Sequence, residues 1–258
     1  MSTILFNEII FGPIKSRRLG NSLGVNLLPK FGKWCSFDCI YCECGWNKDG
    51  RKDTTLPTKE EVFEAMENKL KALKAEGIAV DTITFSGNGE PTMHPAFPQI
   101  IDFTLQLRDG LYPSAKVSVL TNASQLGKKE VRDALYKIDN PILKIDSPLE
   151  YLVEAINIPN AAYSLKDAIA NIKLFNHNFI LQTMFLKGVE NGVEIDCTCK
   201  EHVEAWQNLV RELAPREVMM YTIDRETPAK NLQKVTVEEM EAIAAPLVKE
   251  GFKIQIRG

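Results

Sequence analysis

The sequence predicts an α/β protein, a partial (β/α)6 barrel of parallel strands behind a short N-terminal extension. Three observations predict it. Short apolar runs alternate with helix-patterned segments six times along the chain, the rhythm that gives parallel strands covered by helices with right-handed crossovers. The 258 residues match a full eight-unit barrel in length, but six units plus an extension account for them, so an open barrel fits better. A cysteine-rich loop directly follows the first buried strand, and strand ends are where such sheets place their sites. No low-complexity linker and no repeat beyond the β/α rhythm divides the chain. Residues 1–258 therefore read as one domain, with 1–22 as the extension and 23–258 as the barrel.

The elements follow in order. Glu8 to Ile14 reads as a short edge strand. Leu23 to Leu28 is an apolar run stopped by Pro29, the first buried strand. Thr58 and Glu61 have capping-box spacing, and Val62, Met66, Leu70 and Leu73 follow at helical intervals. Gly77 ends that helix. Thr82–Phe85 is the second strand, followed by the loop Ser86-Gly87-Asn88-Gly89-Glu90-Pro91-Thr92. A helix over Ala96–Arg108, a strand over Lys116–Leu120, a helix over Lys128–Tyr136 and a strand over Ile142–Ile145 come next. Leu149–Ala162 looks irregular, interrupted by Pro159. Ser164 and Asp167 mark a further helix start. One strand over Asn178–Leu186, a helix over Cys199–Leu213, a strand over Glu217–Thr222, a helix over Val237–Lys249 and a terminal strand over Lys253–Ile256 complete the chain.

Apolar residues make up 45% and charged residues 25%, enough to bury a core without staples. No secretory leader or membrane-length apolar run is present, and clustered cysteines point to metal ligation in a reducing compartment. The expected location is the cytoplasm. Net charge is −3, yet residues 1–52 hold eight basic against four acidic residues. A positive mouth near the cysteine loop would attract an anionic partner; a solvated basic face is the plainer reading.

Cys35, Cys39 and Cys42 have the spacing C-x3-C-x2-C. Three thiolates leave a four-iron cluster one ligand short of four, so one iron stays open to something other than protein. A zinc knuckle with Cys44 as fourth sulfur is the alternative. It would crowd all four ligands into ten residues (35–44).

This motif, with Tyr41 just before its last cysteine, resembles that of the radical S-adenosylmethionine enzymes. The resemblance covers nearly the whole chain and implies a partial TIM-like barrel. The family's second-strand loop reads Gly-Gly-Glu; here it reads Gly87-Asn88-Gly89-Glu90. Ser16-Arg17-Arg18-Leu19-Gly20, Ser22–Asn26 and Gly87–Thr92 resemble in particular the wyosine-base-forming enzymes of tRNA. Some of these carry a second cluster on cysteines before the main motif; no cysteine precedes Cys35 here.

The resemblance implies a 4Fe–4S cluster on Cys35, Cys39 and Cys42 and S-adenosyl-L-methionine chelating its open iron. It implies reductive cleavage to a 5′-deoxyadenosyl radical that abstracts hydrogen from a substrate. A one-electron donor such as flavodoxin or ferredoxin, and a tRNA base or a peptide as substrate, follow from it. Gly87 and Gly89 would admit the methionine part, Asn88 lying between them. Glu90 would pair with its ammonium or hold the loop. Tyr41 would lie near the adenine. Asn122, Asp146 and Gln182 would make ribose and carboxylate contacts. Asn122 capping the third helix and Asp146 ordering a turn are the structural alternatives.

Other residues are weaker candidates. Lys15 to Arg18, with Trp34 and Trp46, would contact RNA or a small anion. Asp224 and Arg225 follow the sixth strand and would line the mouth. Cys44, Cys197 and Cys199 form either a second metal site or inert thiols. His94, His177 and His202 lack ligand spacing and read as structural or surface residues.

Overall fold

In the computed structural model, residues 4–16, 20–50 and 53–258 are described. Eleven strands form among them: β1 (Ile10–Ser16), β2 (Gly20–Val25), β3 (Thr82–Phe85), β4 (Lys116–Thr121), β5 (Asn140–Lys144), β6 (Ile180–Met184), β7 (Leu186–Glu190), β8 (Val193–Asp196), β9 (Glu217–Tyr221), β10 (Leu232–Lys234) and β11 (Ile254–Arg257). The helices are α1 (Lys59–Ala75), α2 (Phe97–Leu111), α3 (Lys129–Lys137), α4 (Glu150–Asn157), α5 (Leu165–Lys173), α6 (Lys200–Leu213) and α7 (Val237–Lys249). One eight-stranded sheet runs β1-β2-β3-β4-β5-β6-β9-β11. Its neighbours from β2 to β11 pair in parallel, while β1 pairs antiparallel with β2 along the edge. The α/β fold with a mostly parallel sheet is the one expected from the sequence.

Local chemistry sets the element ends. Thr58 and Glu61 form the expected capping box, and α1 buries Val62, Met66, Leu70 and Leu73. The first buried strand stops at Val25, three residues earlier than expected, because the Asn26 side chain bonds both N–H and C=O of Leu28 and turns the chain. The segment read as irregular contains α4, which buries Leu152, Val153 and Ile156 but has no side-chain cap. A helix held by packing alone carries no start signal.

The run expected as one strand over Asn178–Leu186 is two. Chain β6 ends at Met184, and β7 departs into a second sheet, β10-β7-β8. Phe185 at the break packs edge-on against Trp206 at 5.1 Å. Asn191 and Gly192 join β7 to β8, with φ of 50° and 79°, the left-handed pair that a two-residue hairpin demands.

The parallel strands place the site by alternation. Ile142, Ile180 and Met219, with Leu120, form an apolar cluster of their own. Two residues further along the same strands, hence on the same face, stand Asn122, Lys144, Gln182 and Tyr221. An apolar floor thus gives way to a polar layer at the strand ends. No helix among the described residues is long and apolar enough to cross a membrane.

His202 is fully buried, its Nδ1 bonded to Cys197 O at 2.9 Å, and burial lowers its pKa. The fold therefore keeps it neutral, whereas the unfolded chain protonates it near the ordinary value of about 6.5. Its contribution is present above that pH and lost as pH falls toward the depressed folded value. The urea midpoint of the apoprotein is expected to drop between about pH 7.5 and pH 5.5, with a shallower drop in His202→Gln. Equal slopes would show that His202 does not carry the effect.

Candidate metal and cofactor site

The cysteine loop and the loop after β3 are held together through backbone. Trp34 N donates to Asn88 O at 2.8 Å, and Glu90 N donates to Trp34 O at 3.1 Å, closing a parallel bridge between Trp34 and Gly89. Gly89 sits at φ +140°, and a Cβ there would lie 1.9 Å from Trp34 O. At Gly87 a Cβ would lie 2.5 Å from Asn26 Oδ1. Both glycines let two loops meet on the side where a Cβ would stand.

Asn88 also has a structural job. It is fully buried, donates from Nδ2 to Phe6 O at 2.9 Å and Pro29 O at 2.7 Å, and accepts from Phe6 N at 2.8 Å. Its side chain thus ties the loop to the N-terminal segment and to the turn after β2. Glu90 holds the loop, the second of its two expected roles. Its carboxylate accepts from Thr92 N, the Thr92 hydroxyl, Thr121 Oγ1 and Asn122 N. Burial pushes this carboxyl above the usual range, and those donors pull it back.

Around the sulfurs, the ends of β4, β5 and α4 contribute N–H donors. Cys35 Sγ accepts from Phe37 N at 3.5 Å and Asn122 Nδ2 at 3.6 Å. Asn122 also donates to Ser36 Oγ at 2.9 Å, so it braces the cysteine loop; the N-cap of α3 is Lys128, with no side-chain cap bond. Cys39 Sγ accepts from Asn157 Nδ2 at 3.4 Å and Lys144 Nζ at 3.5 Å. Asp146, 1% exposed, organises this side. Its Oδ2 accepts from Tyr41 OH at 2.5 Å, Lys144 Nζ at 2.8 Å and Asn157 Nδ2 at 2.6 Å, and its Oδ1 accepts from Met184 N at 3.0 Å. Burial opposes its charge, yet Lys144 and these donors hold its carboxyl below the ordinary range. Burial and the Asp146 charge push the Tyr41 phenol well up, so Tyr41 is a neutral donor tied into this network. Gln182 is buried beside Lys144 in the sheet register, and its side chain makes no hydrogen bond among the described residues.

Lys33, Lys144 and Asn157 are site residues that the sequence reading missed. Lys144 interrupts the apolar strand Pro141-Ile142-Leu143-Lys144-Ile145 on the face shared with Asp146, a signal that period-two alternation offered. Asn157 lies at the end of α4, which itself went unrecognised.

The donor set suits a thiolate-bound cluster. Hydrogen bonds to sulfur are one of the levers by which a protein tunes iron–sulfur centres. Cys42 and Cys44 lie close enough to interact, and that contact with the nearby Lys33 charge favours the Cys42 thiolate against burial. Cys44 Sγ in turn donates to Gly87 O at 3.4 Å. Among the described residues, no three Cys, His, Asp or Glu side chains are grouped for a single ion. Cys197 is fully buried, and burial pushes its thiol up to about 12, the state of an inert cysteine.

A cavity of about 380 Å3 opens beside this network, bounded by Ser22, Thr84, Tyr41, Met184 and Tyr221. Lys15, Asp224 and Arg225 line it as expected, and Arg225 Nη1 bonds Glu43 Oε2 at 2.6 Å across its rim. Arg17 and Arg18, the rest of the basic run, and most of the Ser16–Gly20 stretch lie outside the described residues.

Gly89→Ala tests the loop seam. The backbone conformation alone costs about 1–3 kcal/mol, and overlap with Trp34 adds to it. A lower urea midpoint together with reduced iron uptake on reconstitution is expected. Unchanged values for both would contradict a tight seam.

Comparisons with known proteins give the family and the fold. The model of the family described as the radical SAM superfamily matches residues 30–201, more than half of the chain. A UPF0026 protein of Methanocaldococcus jannaschii is 30% identical over 92% of this chain and 70% of its own length. A protein named GTPase Obg from Brachyspira hyodysenteriae is 29% identical over 90% of this chain, which spans 32% of that protein. The crystal structure of Streptococcus suis SuiB bound to S-adenosylmethionine shares the fold with a TM-score of 0.64 at 15% identity, over 88% of this chain and 49% of that one. The Methanocaldococcus jannaschii relative carries the UPF0026 name rather than that of the wyosine-base-forming enzymes. The chain belongs to the radical SAM superfamily.

Proposed function

We propose that this chain is a radical S-adenosylmethionine enzyme that holds one 4Fe–4S cluster through Cys35, Cys39 and Cys42. The observation that carries the reading is the set of N–H groups aimed at Cys35 and Cys39 from Asn122, Asn157 and Lys144. These residues come from three separate elements past the strand ends. Bound there with S-adenosylmethionine, the cluster supplies one-electron cleavage of a sulfonium bond. SuiB, solved with S-adenosylmethionine bound, supports a cofactor site in this fold.

The chain's own residues hold and shield that chemistry. Trp34 and Glu90 fix the cysteine loop to the β3 loop. Asp146 orients Lys144, Asn157 and Tyr41 around Cys39. Gln182 is the expected polar contact to the cofactor. The cavity beyond receives the reacting part of the substrate, and its enclosure keeps water from a reactive species. Residues 1–258 act as one catalytic unit that takes its electron from a flavodoxin- or ferredoxin-like donor.

The first substrate class to test is a tRNA base. The cavity suits one extruded base rather than a folded macromolecule. Phe6 and Phe11 at its wall stack at 3.8 Å, and Lys15 and Arg225 stand at its rim for phosphate.

Anaerobic reconstitution with iron and sulfide, then dithionite and S-adenosylmethionine, is expected to yield 5′-deoxyadenosine and methionine. Cluster-loaded protein that forms neither would end this reading. Cys39→Ala is expected to lose both cluster and cleavage. Salt-sensitive binding of bulk tRNA would support the substrate class, and its absence alongside active cleavage would shift attention to a peptide.

A further inference from the structure

Lys33 lies at the entrance to the cysteine loop, and its side chain is 1% exposed. Its Nζ donates to Asp38 Oδ1 at 3.1 Å and to Gly45 O at 3.1 Å. Asp38 lies between Cys35 and Cys39, and Gly45 follows Cys44. The ammonium is thus enclosed by the loop that presents the sulfurs. A brace at this position needs hydrogen bonds but no charge. Burying an ammonium costs several kcal/mol unless standing negative charge answers it. Asp38 answers only part: it is 27% exposed and shares the same oxygen with Asn47 N at 2.8 Å. The ammonium is pinned between Asp38, which lies between Cys35 and Cys39, and the Gly45 carbonyl just past Cys44.

Lys144 is the other cation near a sulfur, at 3.5 Å from Cys39. It pairs with Asp146, whose side chain has no exposed surface.

We propose that Lys33 is the fixed counter-charge of the cluster, a positioning residue whose ammonium eases arrival of the reducing electron and raises the reduction potential. The proposal rests on the reading of Cys35, Cys39 and Cys42 as cluster ligands. The step is a one-electron reduction by dithionite or a physiological one-electron donor. It takes a 4Fe–4S centre with three thiolates from one net negative charge to two. No bond to Lys33 forms or breaks, and its proton stays in place. A positive charge held in a water-poor loop favours the more negative state, because screening there is weak.

The test is an anaerobic redox titration of the reconstituted full chain, followed by EPR, for the parent, Lys33→Met and Asp38→Asn. Iron and sulfide content is measured first. A parent that takes up no 4Fe–4S cluster contradicts the ligand assignment rather than the role of Lys33. In Lys33→Met the reduction equilibrium is expected to fall at least tenfold, about 59 mV for one electron. Asp38→Asn keeps an acceptor for Lys33 but removes the opposing charge, so its potential is expected to rise. If Lys33→Met retains no cluster, Asp38→Asn decides: a rise supports the proposal, and no change or a fall overturns it. Unchanged potentials in both variants, shifts in the same direction, or loss of cluster from both would make Lys33 a structural brace.

Discussion

The backbone pair that Trp34 makes with Asn88 and Glu90 is the contact on which the rest of the site depends. It fixes the loop that carries the cysteines to the end of β3, and Glu90 then carries that register onward. Through Thr121 Oγ1 and Asn122 N the Glu90 carboxylate reaches the end of β4. Asn122 returns to Ser36 and Cys35. The chain of bonds closes on itself: cysteine loop, glycine loop, third parallel strand, cysteine loop. A loop of three thiols has little regular structure of its own, and this circuit gives it a defined place. Gly89 is required because any side chain there would occupy the position of the Trp34 carbonyl.

Charge completes what the circuit begins. Thiols confined away from water resist ionisation, as Cys35 does, its pKa pushed well up by burial. Cation and amide donors oppose that cost. Asp146 brings three of them, Lys144, Asn157 and Tyr41, to one carboxylate, and two of these also reach Cys39. Lys33 acts from the other side of the loop. The apolar floor of Leu120, Ile142, Ile180 and Met219 lies beneath all of this, so polarity is concentrated at the strand ends, where the cavity opens.

Much of the fold was legible because it follows from period and capping. The capping box of Thr58 and Glu61, the four buried positions of α1 and the parallel order all come from local rules. The small antiparallel sheet was missed: Asn191-Gly192 is a hairpin signal, but the preceding apolar residues read as one long strand. Helix α4 was not legible, since packing rather than capping holds it. At the site, the cysteine spacing and the positions of Asn122 and Asp146 pointed to residues that meet in space. The roles of Gly87, Gly89 and Asn88 could not be read from sequence. A glycine that lets two loops touch and one that lets a ligand approach look alike until the neighbour is known. Lys33 was invisible for a similar reason: a lysine in a polar loop is usually solvated, and only its burial gives it significance.

The central claim is that the Trp34–Glu90 seam presents three thiolates to a four-iron cluster whose remaining iron is left for a cofactor. Mössbauer spectroscopy of protein reconstituted anaerobically with 57Fe, before and after adding S-adenosylmethionine, tests it most directly. The account predicts one 4Fe–4S cluster in which a single iron site changes its isomer shift on addition. Four irons that remain equivalent throughout, or iron bound without sulfide, would contradict it.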